Sequence, residues 1–376
     1  MPPRKKRPVR KTSGQKKDVR RSISSQKRAK AKRVKKKYDN PLVPWNLEAG
    51  TTFSMLNLFQ ECREQAFQSY VNGYSGRKLK DGLEFGSIWH LCQEHYYNDT
   101  NQSASTVAAK CCHAYEKFRS KTIFKNEHEN FQLLLAMAEM LFPLCVKYWH
   151  DDDQEIDWVE PEQKFKTPYT FTDLDGKPRT IFLRGMRDGV FREGGVLGVF
   201  ETKTKSVVSE ASIRDQLKSD LQTLIYVTTA MIELGEMPEK VMYNVIRRPG
   251  QRRKQGETIS AYINRVKAEV IKKPKYYFMR WNVDLTKSDI ANFRRHTLDP
   301  LLVNFCQWAD ALKKTGALDG KPEKRFNTPF HFLNCSALVG RYGRVDMFDL
   351  LTKKTSTAYI KRKSCFPELD ESNQAM

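Results

Sequence analysis

A glycine pair, Gly194-Gly195, lies between two strand-like runs and constrains the fold more than any other feature of the sequence. The run before it covers residues 179–191, and the run after it covers residues 196–203. Two such runs joined by glycines are typical of a β-hairpin, because glycine readily adopts the left-handed backbone of a tight turn. Another strand-like run, at 156–165, precedes them. The sequence therefore predicts a cluster of strands in the middle of the chain.

Helix-like patterns flank this cluster on both sides. Apolar spacing predicts helices before it at 54–74, 83–97, 105–120 and 126–149. After it, predicted helices at 211–234, 260–271 and 288–312 alternate with predicted strands at 241–246 and 276–281. We expect Ser54 to cap the first helix and Pro300 to bend or break the last. This order predicts an α/β fold with a mixed central sheet flanked by helices and preceded by an N-terminal helical region.

Positive charge is concentrated at the N-terminus. Residues 1–38 contain 18 Lys and Arg and a single acid, Asp18, whereas the whole chain of 376 residues has a formal net charge of +22. A segment with so few apolar residues cannot form a core, so we expect a disordered basic tail. The tail either binds polyanions or is a solubilising or targeting extension. The remainder is expected to divide into a helical region at 39–153 and an α/β core with C-terminal helices at 154–376.

Cysteine spacing and hydropathy bear on the compartment. The eight cysteines form no Cys-x-x-Cys pair, so a zinc ribbon is not predicted. No apolar N-terminal signal is present, and we expect no membrane-spanning run. The sequence thus predicts an intracellular protein with reduced, mostly buried thiols. It would be cytoplasmic or nucleoid-associated, or nuclear in a eukaryotic setting, where segment 2–11 has the composition of a nuclear-import signal.

Two acids and a lysine lie in the predicted hairpin. Asp188 is on the first strand, and Glu201 and Lys203 are on the second. Residues two apart on a strand point the same way, so Glu201 and Lys203 project together and the hairpin brings them towards Asp188. Ordinary surface ion pairing stays an open alternative, because acid-x-lysine triplets are common. Others in this chain lie at 162–164, 175–177 and 319–321.

This residue set predicts a particular chemistry. Two buried carboxylates close together are costly unless a cation joins them, and a hard ion such as Mg²⁺ or Mn²⁺ prefers oxygen ligands. Asp188, Glu201 and the backbone carbonyl of Thr202 are the candidate ligands. Such an ion neutralises charge on phosphate oxygens, while Lys203 would hold or activate a water molecule and offset charge in the transition state. The pattern therefore predicts phosphodiester hydrolysis.

Four ordered blocks give the chain a family resemblance. They are a helix at 53–63, Gly-x-x-x-His at 86–90, the sequence GMRDGVF at 185–191 with its following hairpin strand, and Gln-x-x-x-Tyr at 222–226. In this order they resemble the RecB-like branch of the PD-(D/E)XK nuclease superfamily. The resemblance implies a restriction-endonuclease-like core.

The same resemblance implies roles for single residues. His90 would be a metal ligand beside Asp188 and Glu201, Lys203 would be the catalytic lysine, and Gln222 and Tyr226 would position the site and contact nucleic acid. Glu162 is a weaker match to an acid that often precedes the family's central hairpin. Taken one at a time, these side chains can also be ordinary helix or core residues.

Many members of this family hold an iron–sulphur cluster with four cysteines. Cys62 lies in the expected helix and Cys335 in the expected C-terminal region, but Val345 and Leu351 stand where two further cysteines would be needed. Aliphatic side chains cannot bind iron. Cys365 has the wrong spacing to replace them. We therefore expect no cluster.

A basic loop after the strand at 241–246 is a second candidate for nucleic-acid contact. Loop charges of this kind would bind phosphates without reading sequence, although a merely solvated loop is an equal alternative. The candidate residues are Arg247, Arg248, Arg252, Arg253 and Lys254.

Taken together, these patterns predict an Mg²⁺- or Mn²⁺-dependent DNA nuclease. It would act as an exonuclease or an end- or flap-processing enzyme in recombination, repair or replication, and RNA is not excluded as a substrate. The alternative is a non-catalytic nucleic-acid-binding protein that uses the same fold as a platform. A nucleotide kinase is disfavoured because the chain has no GxxxxGK[ST] loop. The sequence does not determine polarity, strand preference or oligomeric state.

Overall fold

A computed structural model describes most of the chain between Trp45 and Lys314. The described residues are 45–76, 79–98, 101–209, 219–316, 359–362, 364–366 and 369. The predicted basic tail, residues 211–218 of the predicted helix at 211–234, and the C-terminal region with Cys335, Val345 and Leu351 lie outside them.

The described part of the chain begins with a 3₁₀ turn at Leu47–Ala49, followed by a short strand and a broken helix. β1 (Thr51–Thr52) leads into α1 (Phe53–Glu61), and α2 (Arg63–Ala66) continues as a π-helical turn at Phe67–Val71. The expected single helix at 54–74 is therefore wrong, because the extended backbone of Cys62 interrupts it. Ser54 is not the N-cap either. Thr52 has the extended backbone of a cap, and its hydroxyl accepts the amide hydrogen of Met55 at 3.3 Å.

The helical region follows a strand, β2 (Tyr74–Gly76). It comprises α3 (Asp81–Asn98), α4 (Ala104–Arg119), α5 (His128–Tyr148) and the short α6 (His150–Asp153). Among the described residues one helix, Lys125–Tyr148, is long and apolar enough to cross a membrane by length and composition alone, although the sequence predicts no such run, and half of its apolar window is buried inside the protein.

The strands and helices that follow alternate as the sequence predicts, with somewhat different ends. The elements are β3 (Asp157–Thr172), β4 (Pro178–Glu193), β5 (Val196–Lys205), α7 (Leu221–Leu234), β6 (Lys240–Arg247), α8 (Ile259–Lys272), α9 (Pro274–Tyr277), β7 (Phe278–Asp284), α10 (Lys287–Phe293), α11 (Asp299–Lys314) and β8 (Tyr359–Lys361). Pro300 lies in the first turn of α11, where its missing amide costs nothing. The helix is irregular just before Pro300 and not at it, in a π-helical turn at Arg294–Leu298.

The central sheet is mixed. β4 pairs antiparallel with β3 along its whole length, while its other edge pairs with β5 and, farther along, with β1. β5 is parallel to β6, and β6 is antiparallel to β7. The predicted hairpin is confirmed: Gly194 and Gly195 have φ values of 58° and 84°, and β4 and β5 pair directly on either side of them.

Helices cover both faces of this sheet. On one face, α1, α7 and α11 share a core with inward residues of the sheet such as Leu183 and Tyr243. On the other face, α3, α4, α5 and α8 form a second core that includes Ile246 and Phe278. The protein is thus an α/β fold with a mixed sheet flanked by helices, as the sequence predicts. The helical region packs directly on the sheet instead of standing apart from it.

Candidate metal centre

Three carboxylates lie in one row across neighbouring strands. Pairing between β3 and β4 joins Pro161 to Gly189 and Gln163 to Arg187, so Glu162 lies opposite Asp188. The β4–β5 pairing ends where Gly189 meets Phe200, and one further step in that register places Asp188 opposite Glu201. All three acids are buried: Glu162, Asp188 and Glu201 are only 5%, 4% and 1% exposed.

Asp188 lies in the gap where β4 and β5 diverge. Its Oδ2 accepts a hydrogen bond from the backbone N–H of Thr202 at 2.6 Å. This side-chain bond forms just beyond the last paired residues of the two strands, Gly189 and Phe200. The N–H and C=O of an extended residue point to the same edge of the strand. The carbonyl of Thr202, a predicted metal ligand, therefore faces the same side as this amide.

Helix α3 brings His90 to the carboxylates from the face of the sheet. Nδ1 of His90 is 3.4 Å from Oδ1 of Asp188 and 3.5 Å from Oε1 of Glu162. A Cβ atom at Gly86 would come within 3.3 Å of the Thr204 hydroxyl, so the absence of a side chain there allows α3 to approach β5 closely. The Gly-x-x-x-His spacing thus has a direct packing reason.

Within the part of the chain that the structure describes, His90, Glu162 and Asp188 form a cluster arranged to hold a metal ion. One ligand atom from each lies within 4.8 Å of the others. Glu162, which is only a weak match in the sequence, is therefore a full member of this cluster. Its φ of 40° is unusual for a non-glycine residue and costs on the order of 1–3 kcal/mol. The sequence signal for it is its place ahead of the hairpin, where the family that the chain resembles often has an acid.

The other predicted residues form a second, connected group. Nζ of Lys203 lies 2.6 Å from Oε1 of Glu201 and donates to Oε1 of Gln222 at 2.7 Å. Nε2 of Gln222 donates in turn to the hydroxyl of Tyr226 at 3.1 Å. Asp220, which the sequence did not single out, caps α7 and lies 4.0 Å from the Lys203 ammonium. Oε1 of Glu201 is thus paired with Lys203, while its Oε2 makes no hydrogen bond.

Burial and mutual charge perturb the titration of these groups. Burial raises the pKa of Glu162 well above its usual value, and the charge of Asp188 adds to this rise. Burial also raises the pKa of Glu201, to about 8, although Lys203 opposes the change. Burial alone would lower the pKa of His90, but Asp188 and Glu162 outweigh it and raise that pKa to about 10. Metal-free, the cluster therefore favours bound protons.

Several buried atoms of this cluster make no hydrogen bond. They are both carboxylate oxygens of Glu162, Oε2 of Glu201 and Nδ1 of His90. Buried polar atoms are almost always satisfied, because an unpaired one costs about 1–3 kcal/mol and a charged one costs more. Carboxylate oxygens together with one imidazole nitrogen are a donor set that a divalent cation can satisfy. The residues present therefore fit a bound metal ion.

The predicted nucleic-acid loop starts at the same end of the sheet as Lys203. The amide of Arg248 donates to the carbonyl of Lys205 at 2.7 Å. Arg247 stacks on the ring of Tyr276 at 3.9 Å, and Arg253 pairs with Glu129 of α5. These two arginines therefore already have partners within the protein, whereas other predicted contact residues are exposed. Arg252 and Lys254 are exposed, Arg253 is exposed despite its ion pair, and Arg248 is half-buried.

The comparisons with known proteins give little to set beside this geometry. No family model matches the chain, and no curated protein matches it. A solved structure, "Crystal structure of SSO0001", is 15% identical over 46% of this chain and 67% of that chain, with a TM-score of 0.19. A likeness of that size supports no conclusion about fold or function.

Proposed function

We propose that this protein hydrolyses phosphodiester bonds in DNA with a bound divalent metal ion, Mg²⁺ or Mn²⁺. One observation carries the proposal: a buried row of three carboxylates, two of which have unsatisfied oxygens, flanked by His90 on one side and Lys203 on the other. A purely structural cluster would leave several buried carboxylate oxygens without a hydrogen-bond partner, at a cost that proteins rarely accept.

His90, Glu162 and Asp188 would hold the ion, and the free oxygen of Glu201 and the carbonyl of Thr202 would complete its ligands. Bound there, the ion supplies Lewis-acid stabilisation of the negative charge on a phosphate group. The hydrogen bond from the Thr202 amide fixes the carboxylate of Asp188, so Oδ1 stays directed towards His90. A preset ligand geometry of this kind reduces the cost of binding.

Lys203 supplies positive charge next to the reacting phosphate. Although burial works against its charged form, Glu201 and Asp220 outweigh this and raise the pKa of Lys203, so the ammonium stays protonated at neutral pH. A protonated lysine can orient an attacking water molecule and offset the charge that develops in the transition state. Gln222 fixes the direction of this ammonium, and Tyr226, which is buried, orients Gln222.

The order of elements supports assigning the core to the restriction-endonuclease-like type and the chain to the RecB-like nucleases. A helix, three antiparallel strands, a helix and a parallel strand follow one another as α1, β3, β4, β5, α7 and β6. The helical region lies between α1 and β3 and contributes His90. This order of elements is the support that the fold gives to the proposed assignment.

Cleavage of end-labelled DNA by the purified full-length chain tests the proposal. We expect degradation with Mg²⁺ or Mn²⁺, none with EDTA, and none from Asp188→Ala with either metal. Single-stranded, blunt, flap and circular DNA, with an RNA of the same sequence, would define an exonuclease or end-processing mode. Cleavage that persists in Asp188→Ala or in EDTA would contradict the proposal.

A further inference from the structure

A buried polar network connects the helical region to the strand that carries the site. Three residues of adjacent strands share one row: Thr202 of β5 pairs with Asn244 of β6, and Asn244 pairs with Arg280 of β7. Nδ2 of Asn244 lies 3.4 Å from the Thr202 hydroxyl, and Nε of Arg280 lies 3.3 Å from Oδ1 of Asn244. The guanidinium Nη1 of Arg280 then meets Oδ1 of Asp153, in α6, at 2.5 Å.

The residues of this network lie in surroundings where apolar side chains would be expected. Asn244 is buried between apolar strand neighbours, and the Arg280 side chain is almost fully enclosed. Arg280 also lies over the rings of Trp149 and Phe200, at 4.4 Å and 5.4 Å, so its position is fixed on several sides. A buried arginine is costly, and an apolar replacement of such a pair is often neutral or stabilising. Stability alone therefore does not explain this network.

We propose that Asn244 and Arg280 are positioning residues that set the place of Thr202, and through it the direction of Asp188. This inference rests on the proposed function. The hydroxyl of Thr202 is held by Asn244, while its backbone amide holds the Asp188 carboxylate at 2.6 Å. One residue thus joins the polar network to the carboxylate row. Neither Asn244 nor Arg280 is itself a candidate ligand of the ion, and Asn244 contacts Thr202 through the hydroxyl, not through the carbonyl.

The route also explains how the helical region aligns with the site. Asp153 ends the helical region just before β3 begins, and its pairing with Arg280 ties that end to β7. The same region supplies His90, whose Nδ1 must meet Asp188. The network therefore helps to set the positions of both side chains in this contact. It acts on His90 through the position of the helices and on Asp188 through Thr202.

Two variants test the inference on the full-length protein. Asn244→Leu keeps the branched shape and the number of heavy atoms and removes both hydrogen bonds, whereas Arg280→Lys keeps the charge but leaves one ammonium to serve two acceptors. Tyr115→Phe is the control, because it removes a buried hydrogen bond to Glu84 within another polar cluster of the helical region. Thermal unfolding of all three variants measures their structural cost.

The first readout is calorimetric binding of Mn²⁺ alone. We expect both network variants to weaken Mn²⁺ binding by about tenfold or more, the usual effect of losing an outer partner of a metal ligand. Tyr115→Phe should bind Mn²⁺ like the wild type even if its melting temperature falls as far. Unchanged Mn²⁺ affinity in Asn244→Leu and Arg280→Lys would overturn the inference while leaving the nuclease proposal intact.

The second readout needs no metal. Hydrogen–deuterium exchange of the segment 198–205 reports the bond from the Thr202 amide to Asp188. In metal-free protein we expect exchange at Thr202 to be about tenfold faster in the network variants than in Tyr115→Phe, since protection follows local opening. If the wild type binds no Mn²⁺, the proposed function fails, and equal exchange in all variants would separately overturn the positioning role.

Discussion

Nδ1 of His90 lies 3.4 Å from Oδ1 of Asp188, a contact that joins a helix on one face of the sheet to a strand in its middle. Neither residue is near the other in sequence, and each also approaches Glu162, whose own oxygens are buried and unsatisfied. The meeting of these three side chains turns an acidic hairpin into a site that can hold a cation, because it adds a nitrogen ligand and a third carboxylate.

Removing His90 should weaken metal binding more than it weakens the fold. His90→Ala takes away the nitrogen ligand but leaves the packing of α3 on β5, which depends on Gly86 and its neighbours. We expect Mn²⁺ affinity, measured by calorimetry, to fall by about tenfold or more. His113→Ala, an exposed position on α4, is the matched control. Equal Mn²⁺ affinity in both variants would show that His90 is not a ligand.

Lys203 and Lys205 offer a matched pair on the same strand. Lys203→Met removes the ammonium that contacts Glu201 and Gln222, whereas Lys205 is exposed at the end of β5. We expect Lys203→Met to lower kcat by roughly 10²-fold or more, the typical effect of losing a group that stabilises developing charge, with Mn²⁺ binding retained. Lys205→Met should cleave like the wild type. A normal kcat in Lys203→Met would show that Lys203 is not a catalytic residue.

Glu162 can be tested through stability as well as activity. Because burial raises its pKa well above the usual value, the metal-free protein already favours the protonated form, and Glu162→Gln should unfold at nearly the wild-type temperature. A metal that binds only the folded state raises the melting temperature. We expect Mn²⁺ to stabilise the wild type but to have little effect on Glu162→Gln. Equal stabilisation of both proteins would exclude Glu162 as a ligand.

The metal-free protein should lose stability as the pH rises from mildly acidic to mildly basic. Glu201 has a folded pKa of about 8, above its ordinary value of 4.5, so it binds a proton more tightly in the folded state. The stability that this proton binding contributes is fully present below the unfolded-state pKa of Glu201. It is lost as the pH rises through the pKa of the folded state. Thermal unfolding in EDTA at about pH 6 and about pH 8.5 measures this loss, which should shrink in Glu201→Gln. An equal pH response in both proteins would contradict it.

Deleting residues 1–38 separates affinity from chemistry. The segment carries 18 Lys and Arg, and each contact with phosphate releases counterions, so its removal should weaken DNA binding and flatten the dependence of that binding on salt. Cleavage of a short oligonucleotide at saturating concentration should be unchanged. Loss of metal-dependent cleavage in the truncated protein would favour the alternative, a binding protein whose function depends on the tail.

Local sequence patterns were enough to predict much of the sheet. Gly194 and Gly195 set the position of the hairpin turn, and the register of the hairpin then places Asp188 near Glu201. The turn and the register both depend on residues that are close together in the sequence, so a local pattern predicts them. The spacing of Gln222 and Tyr226 likewise fixes their common helix face. The break of the first helix at Cys62 was not predictable from apolar spacing, which continues through it.

The sequence by itself determined the mixed α/β architecture, the hairpin and the acids and lysine on it, because strand period and turn chemistry act over a few residues. Only the tertiary structure decided that Glu162 joins His90 and Asp188, and that Asn244 and Arg280 lie behind Thr202. Those contacts depend on strand order and on how α3 packs against the sheet. Both are set by burial of the two cores, which no local pattern encodes.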